Sequence, residues 1–342
     1  MRPCALLLVA LAGAVYASSG DRSPEFHGCV SRCRQRQCTP PNVIPLSLPL
    51  RLTHWTCEDN CNYSCMHDIT SRDKRLGDRV HQYFGKWPFW RLFGIQEPAS
   101  VAFSLLNFWA HWRGLERMRR EIPDGHPMKK YYIVWAFTGL NAWIWSAVFH
   151  TRDWPITEKL DYFSAALTIF YALYYTVVRL FHLYPSSRRT RLTLANSSPG
   201  ANNGGPTLRI WSLLCILVYL CHVSYLTLLP RFDYFYNIVF NAVVGLTHNA
   251  LWALYALPAS VSVFRRFPGR PKAYRPAFVT KTGVIVACMT AASALELFDF
   301  APLLRVIDAH SLWHLATAPI AVAWYTFLIQ DAREDSWRAY LG

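Results

Sequence analysis

Seven apolar segments follow one another along this 342-residue chain, at about 98–112, 131–150, 160–183, 210–229, 234–257, 282–297 and 303–329. A helix needs about 20 such residues to cross the hydrocarbon core of a bilayer, so six are adequate and the first is short. Backbone polar groups inside lipid must be satisfied within the segment itself, which makes each run a helix. The composition agrees, at 53% hydrophobic with 14 Trp, 18 Tyr and 20 Phe. The expected fold class is all-α, a polytopic seven-transmembrane-helix bundle, with the membrane domain at 96–330 and a short cytoplasmic tail at 331–342.

Charge in the loops gives that bundle an orientation. Arg113, Arg117, Arg119, Arg120, Lys129 and Lys130 fall between the first two spans, Arg188, Arg189 and Arg191 between the third and fourth, and Arg265, Arg266, Arg270, Lys272 and Arg275 between the fifth and sixth. All three are alternate loops, which the positive-inside rule places in the cytoplasm. A net charge of +14 would otherwise suggest a nucleic-acid surface; here it reports topology, and no nucleic-acid partner is expected. Residues 196–205 read as a flexible cytoplasmic linker, so the sequon at Asn196 should be unmodified.

Before the first span the chain has a different character. Arg2, an apolar run from Cys4 to Val15 and small residues ending at Ala17 form a signal-peptide pattern over 1–17, which sends the mature N-terminus to the lumen. The following region, 18–95, holds Cys29, Cys33, Cys38, Cys57, Cys61 and Cys65. In an oxidising compartment six cysteines fit three disulfides, with 15 pairings open. C-x3-C spacing argues against a metal knuckle. Asn62-Tyr63-Ser64 is a sequon that neighbouring cysteines would shield. Cys215, Cys221 and Cys288 lie within spans as ordinary apolar positions.

Ionisable groups inside spans are costly and therefore point to function. Ser146 and His150 stand at i and i+4 at the end of the second span, Asp161 opens the third, and His310 and His314 repeat the i, i+4 spacing in the seventh. The topology brings all five to the luminal side. With about 1.5 Å of rise per residue, His310 and His314 fall roughly 10 and 16 Å inside a span beginning at 303, a layer Ser146 and His150 can share. Three neutral imidazoles leave a fourth position on Zn2+ for water, the pattern of a hydrolytic zinc site. Ser146 would bind the water or a developing oxyanion, and Asp161 would take or orient a proton. A lone histidine in a helix bundle more often bridges helices; two such pairs with an aspartate on one side of the membrane favour a metal.

S-x3-H, an Asp eleven residues later and a late H-x3-H resemble the seven-helix superfamily of alkaline ceramidases and adiponectin-type receptors. That resemblance implies zinc on His150, His310 and His314, with Ser146 and Asp161 beside the metal-bound water. Within the superfamily, FGKWPF (84–89), QEPAS (96–100), NAWIWSAVFHTRD (141–153), TEKLDYF (157–163), RFDYFYN (231–237) and LELFDFAP (295–302), with the cysteines, look like the post-attachment GPI-anchor remodelling family. The resemblance covers nearly the whole mature chain. It implies a GPI-specific phospholipase A2 that removes the sn-2 fatty acid from GPI-anchored proteins in the endoplasmic reticulum or Golgi membrane. A ceramidase-like amidase and a non-enzymatic receptor or quality-control factor for such cargo are the alternatives.

Other polar positions carry weaker expectations. His222 reads as a helix-packing hydrogen bonder more than a group orienting a ligand, and His248 as too deep for the site. Glu296 and Asp299 either orient a ligand histidine or face water. Glu97 and Pro98 mark the start of the first span rather than catalysis.

Overall fold

The computed structural model describes residues 18–41, 43–183, 204–267, 269–296 and 298–338. The signal segment, Arg188, Arg189 and Arg191, the Asn196 sequon and most of the linker lie outside them. Among the described residues the chain is all-α: α1 (Pro24–Gln37), α2 (Leu48–Leu52), α3 (Cys57–Leu76), α4 (Pro98–Glu121), α5 (Lys129–Thr151), α6 (Pro155–Leu180), α7 (Gly204–Leu228), α8 (Tyr234–Ala256), α9 (Ala277–Leu295) and α10 (Ala309–Arg333). Helices α5 to α10 are long and apolar enough to cross a membrane. Contacts divide the chain into two compact units, one of Met1–Ser104, Ser146–Glu158 and Leu295–His314, the other of Leu105–Trp145, Lys159–Ala294 and Leu315–Gly342.

The first unit starts as a stapled helix pair. Ser23 caps α1 by accepting from the Phe26 N–H, with Pro24 in the first turn. Thr56 and Asp59 form a reciprocal capping box on α3, which ends at Gly77 in the left-handed region, the usual glycine solution to a helix C-terminus. Disulfides Cys29–Cys65, Cys33–Cys61 and Cys38–Cys57 join the helices. The first cysteine meets the last and the third meets the fourth, so α1 and α3 run antiparallel; Phe26, Ile69 and Tyr83 pack beside Cys65. Beyond α3 the chain makes tight turns marked by the bridges Tyr83–Lys86, Leu92–Ile95 and Leu303–Ile307.

The second unit holds the broad aromatic core, including Trp252, Trp324, Tyr175, Tyr325 and Phe327. Two of the buried indole N–H groups there are matched, while that of Trp135 has no partner among the described residues. Trp252 Nε1 donates to Thr176 Oγ1 and Trp324 Nε1 to the Tyr175 hydroxyl, each at 2.8 Å, as apolar surroundings require. Arg179 grips the buried Asp331 carboxylate with two bonds of 2.6 and 2.7 Å. His248 pairs with Asn249. His222 departs from the hydrogen-bonding role expected of it: it stacks on Phe240 at 3.9 Å, and neither ring nitrogen has a hydrogen-bond partner.

Two element boundaries differ from the sequence reading. Helix α4 continues past the apolar run to Glu121, because Arg117 and Glu121 pair at i, i+4 at 3.0 Å and sustain charged turns that hydropathy ignores. Helix α10 begins at Ala309, not near 303, because Leu303 N–H donates to Ile307 O and closes a turn. His310 and His314 therefore sit about 1.5 and 7.5 Å into their helix, not 10 and 16 Å.

Candidate metal centre

The site lies within the first unit and is assembled from three helix ends. Ser146 and His150 occupy the last two turns of α5, and His310 and His314 the first two of α10. A backbone strap joins α5 to the start of α4: Gln96 N–H donates to Thr151 O and Glu97 N–H to His150 O, both at 3.0 Å. That strap lays the Glu97 carboxylate against the His150 ring.

The three rings meet through one edge. His310 Nε2 is 3.3 Å from His150 Nε2 and 3.0 Å from His314 Nε2, and the three side chains could hold a metal ion. Their opposite edges are occupied. His150 Nδ1 lies 2.8 Å from Glu97 Oε2, His310 Nδ1 2.8 Å from Glu296 Oε2, and His314 Nδ1 3.0 Å from Ser104 Oγ. A carboxylate accepts a hydrogen bond from Nδ1–H, so in the neutral tautomer that this pairing selects, His150 and His310 would turn Nε2 lone pairs toward each other. Lone pairs at that distance repel unless a cation lies between them, and carboxylate–histidine pairs are the usual support of metal-bound imidazole. The donor set fits a zinc-type ion with three nitrogen ligands.

Charge behind the site is balanced by Lys86, 2.5 Å from Glu97 and 3.1 Å from Asp153. Burial alone would raise the Glu97 carboxyl; the Lys86 ammonium and His150 outweigh it and hold it well below the usual carboxylate range. Burial likewise works against the Lys86 charge, yet Glu97 and Asp153 leave its pKa above the ordinary lysine value.

Of the expected site residues, Ser146, His150, His310 and His314 come together; Ser146 Oγ is 3.0 Å from Ser104 Oγ, the group that backs His314. Asp161 stands half-buried in the second turn of α6, in the second unit. Glu296 takes the first of its two expected uses, orienting His310. Asp299 instead accepts from Gln82 and from Trp87 Nε1. Glu97 does mark a helix start, since α4 begins at Pro98, but it also backs His150, a use the sequence reading did not give it. Ser104 and Lys86 were assigned no role; Lys86 is the lysine within the FGKWPF motif, and Ser104 follows QEPAS by four residues. Ser100, one turn from Ser104, keeps a buried hydroxyl with no partner.

The sequence profile of the Per1-like family matches residues 47–332, which contain every residue of this centre. The chain belongs to the Per1-like family. Among Per1-like relatives, "Protein PER1 homolog" of Schizosaccharomyces pombe is 40% identical over 94% of this chain and 89% of its own length. "GPI-specific phospholipase A2-like PGAP3" of Homo sapiens is 37% identical over 97% and 96%, and "Post-GPI attachment to proteins factor 3" of Drosophila melanogaster is 37% identical over 94% and 91%. No solved structure matches the chain.

Proposed function

We propose that this protein is a zinc-dependent acyl hydrolase that removes the sn-2 fatty acid from the phosphatidylinositol of GPI-anchored proteins. The observation that carries the reading is the convergence of three Nε2 atoms whose rings are backed by Glu97, Glu296 and Ser104. The names of the Per1-like relatives point to the substrate class.

Zinc in such a site supplies a Lewis acid and makes water acidic enough to react at neutral pH. The protein's own groups do the rest. Glu97 and Glu296 keep His150 and His310 in the tautomer that presents Nε2. Lys86 keeps Glu97 ionised. The Ser146 hydroxyl donates to the ester carbonyl oxygen as negative charge develops there. On the family resemblance, and not on a contact between the two units, Asp161 is the group assigned to accept the proton of the attacking water. The hydroxyl adds to the acyl carbon, the ester C–O bond breaks and a proton returns to the leaving alkoxide, giving free fatty acid and a lyso-GPI protein. The centre faces the lumen of the endoplasmic reticulum or Golgi, where the glycan and attached protein of such a substrate lie.

Mass spectrometry of GPI anchors incubated with pure wild-type and His314→Ala protein, alongside elemental analysis, tests this. Wild type should carry about one zinc, as three histidines around one open position imply, and should release sn-2 fatty acid; His314→Ala should lose both. Full lipid hydrolysis by metal-free His314→Ala would overturn the mechanism. Acid release from ceramide but not from GPI would overturn the substrate.

A further inference from the structure

Two turns of the first unit share one build. Tyr83 to Lys86 and Leu92 to Ile95 each close with paired backbone bonds, 2.7 and 3.0 Å in the first, 3.1 and 2.9 Å in the second. Phe84 and Gly85 have φ of 51 and 79°, Phe93 and Gly94 of 50 and 84°. Positive φ at both central positions favours Asn, Asp or Gly in the first of them, and a bulky residue there is strained. Phe84 has a reason inside the fold, because its ring lies 5.9 Å from Phe26. Phe93 is 76% exposed, with no aromatic partner among the described residues.

A third turn repeats the anomaly nearby. Leu304, at φ 54°, is 86% exposed at the tip of the Leu303–Ile307 turn. Trp90 N–H donates to Arg305 O at 2.9 Å, joining the two segments. Arg305 then donates to His67 Nδ1 and Ser71 Oγ of α3 at 2.9 and 3.0 Å. Gly94 approaches Pro49 and Thr53 so closely that a Cβ would not fit, which brings α2, with Leu48 and Leu52 exposed, against the Phe93 turn. Strained tips held on a rigid base, with bulky apolar groups turned outward, are poorly suited to water.

Chain continuity names what covers them. Phe93 precedes α4 by five residues and Leu304 precedes α10 by five, at most about 17 Å of chain. Because α10 crosses the membrane, Leu304 is confined to the zone where that helix meets the bilayer surface. We propose that Phe93 and Leu304 are the tips of an interfacial anchor, inserting at the boundary of lipid headgroups and acyl chains on the side where α4 and α10 begin. The Cys-rich region then lies on the bilayer rather than projecting from it, with the amphipathic logic of monotopic attachment. This does not depend on the hydrolase reading.

The test uses full-length protein in phosphatidylcholine nanodiscs, in a Cys221→Ser, Cys288→Ser background. Phe93→Cys and Leu304→Cys carry an environment-sensitive fluorophore, with Asp68→Cys on the exposed face of α3 as the aqueous reference. At 93 and 304 emission should shift to shorter wavelength and be quenched by lipids bearing a nitroxide near the headgroup; iodide should quench only the probe at 68. Unshifted, iodide-sensitive probes at 93 and 304 would overturn the proposal, and so would probes shielded from both quenchers, which would mean that another protein covers the face. Phe93→Asn suits the turn better, so disulfides and helical content should persist while the probe at 304 loses lipid quenching. Collapse of the fold in Phe93→Asn would instead assign the ring a structural role.

Discussion

Behind each of the three converging histidines stands a group whose burial decides how much its loss should cost. The Glu97 side chain is 5% exposed and also holds Lys86, whereas that of Glu296 is 43% exposed. Glu97→Gln should weaken zinc retention against a chelator by about 10–100-fold, the range for groups that support a ligand, and should also lower thermal stability because Lys86 loses a buried counter-ion. Glu296→Gln should weaken retention with little change in melting temperature. Glu97 was not legible in the sequence, since it lies 53 residues from His150 and no helical spacing links them. The histidine pairs were legible because i, i+4 is local. His67 gives a pH prediction of its own. Its Nε2 lies 3.0 Å from Phe89 O and its Nδ1 faces Arg305, so the neutral ring donates to one and accepts from the other. Burial pushes its pKa down to about 4. A depressed histidine contributes stability in full above its unfolded value of about 6.5, and that contribution is lost as pH falls toward 4. Melting temperature should therefore drop across that interval in wild type, with a shallower drop in His67→Phe.

Among the helices, close approach rather than hydropathy sets the packing of the second unit. A Cβ on Gly114 would strike the Tyr325 ring, and one on Gly139 the His111 ring; Tyr325 and His111 bond to each other at 2.8 Å. Small residues that let helix backbones approach are the common device of membrane helices. Gly114→Val should cost about 3 kcal/mol through overpacking, measured by denaturation in detergent, whereas Gly205→Val, with nothing near its Cβ, should be neutral. Apolar length predicted helices α5 to α10, since backbone in lipid has few choices. The boundaries at Glu121 and Ala309 escaped because charged i, i+4 pairs prolong a helix and tight turns can be as apolar as the span they precede. The three disulfides were foreseeable in number but not in pairing, which depends on α1 and α3 lying antiparallel.

On the scale of the whole chain, the net charge of +14 is read as orientation. A cysteine placed at Lys272, between α8 and α9, should react with an impermeant maleimide only from the cytoplasmic side of sealed microsomes, and one at Asp68 only after the lumen is opened. Labelling of both from one side would contradict the alternation of basic loops. The order of the cysteines has a consequence in time as well as in space. The bonds are nested, closing spans of 19, 28 and 36 residues, so as the chain emerges N-terminus first, Cys38–Cys57 can form before Cys33–Cys61, and Cys29–Cys65 only after both partners of the inner bonds have appeared. Oxidation can thus proceed like a zip from the bend outward, and no correct bond must wait for a helix of the membrane domain to be made.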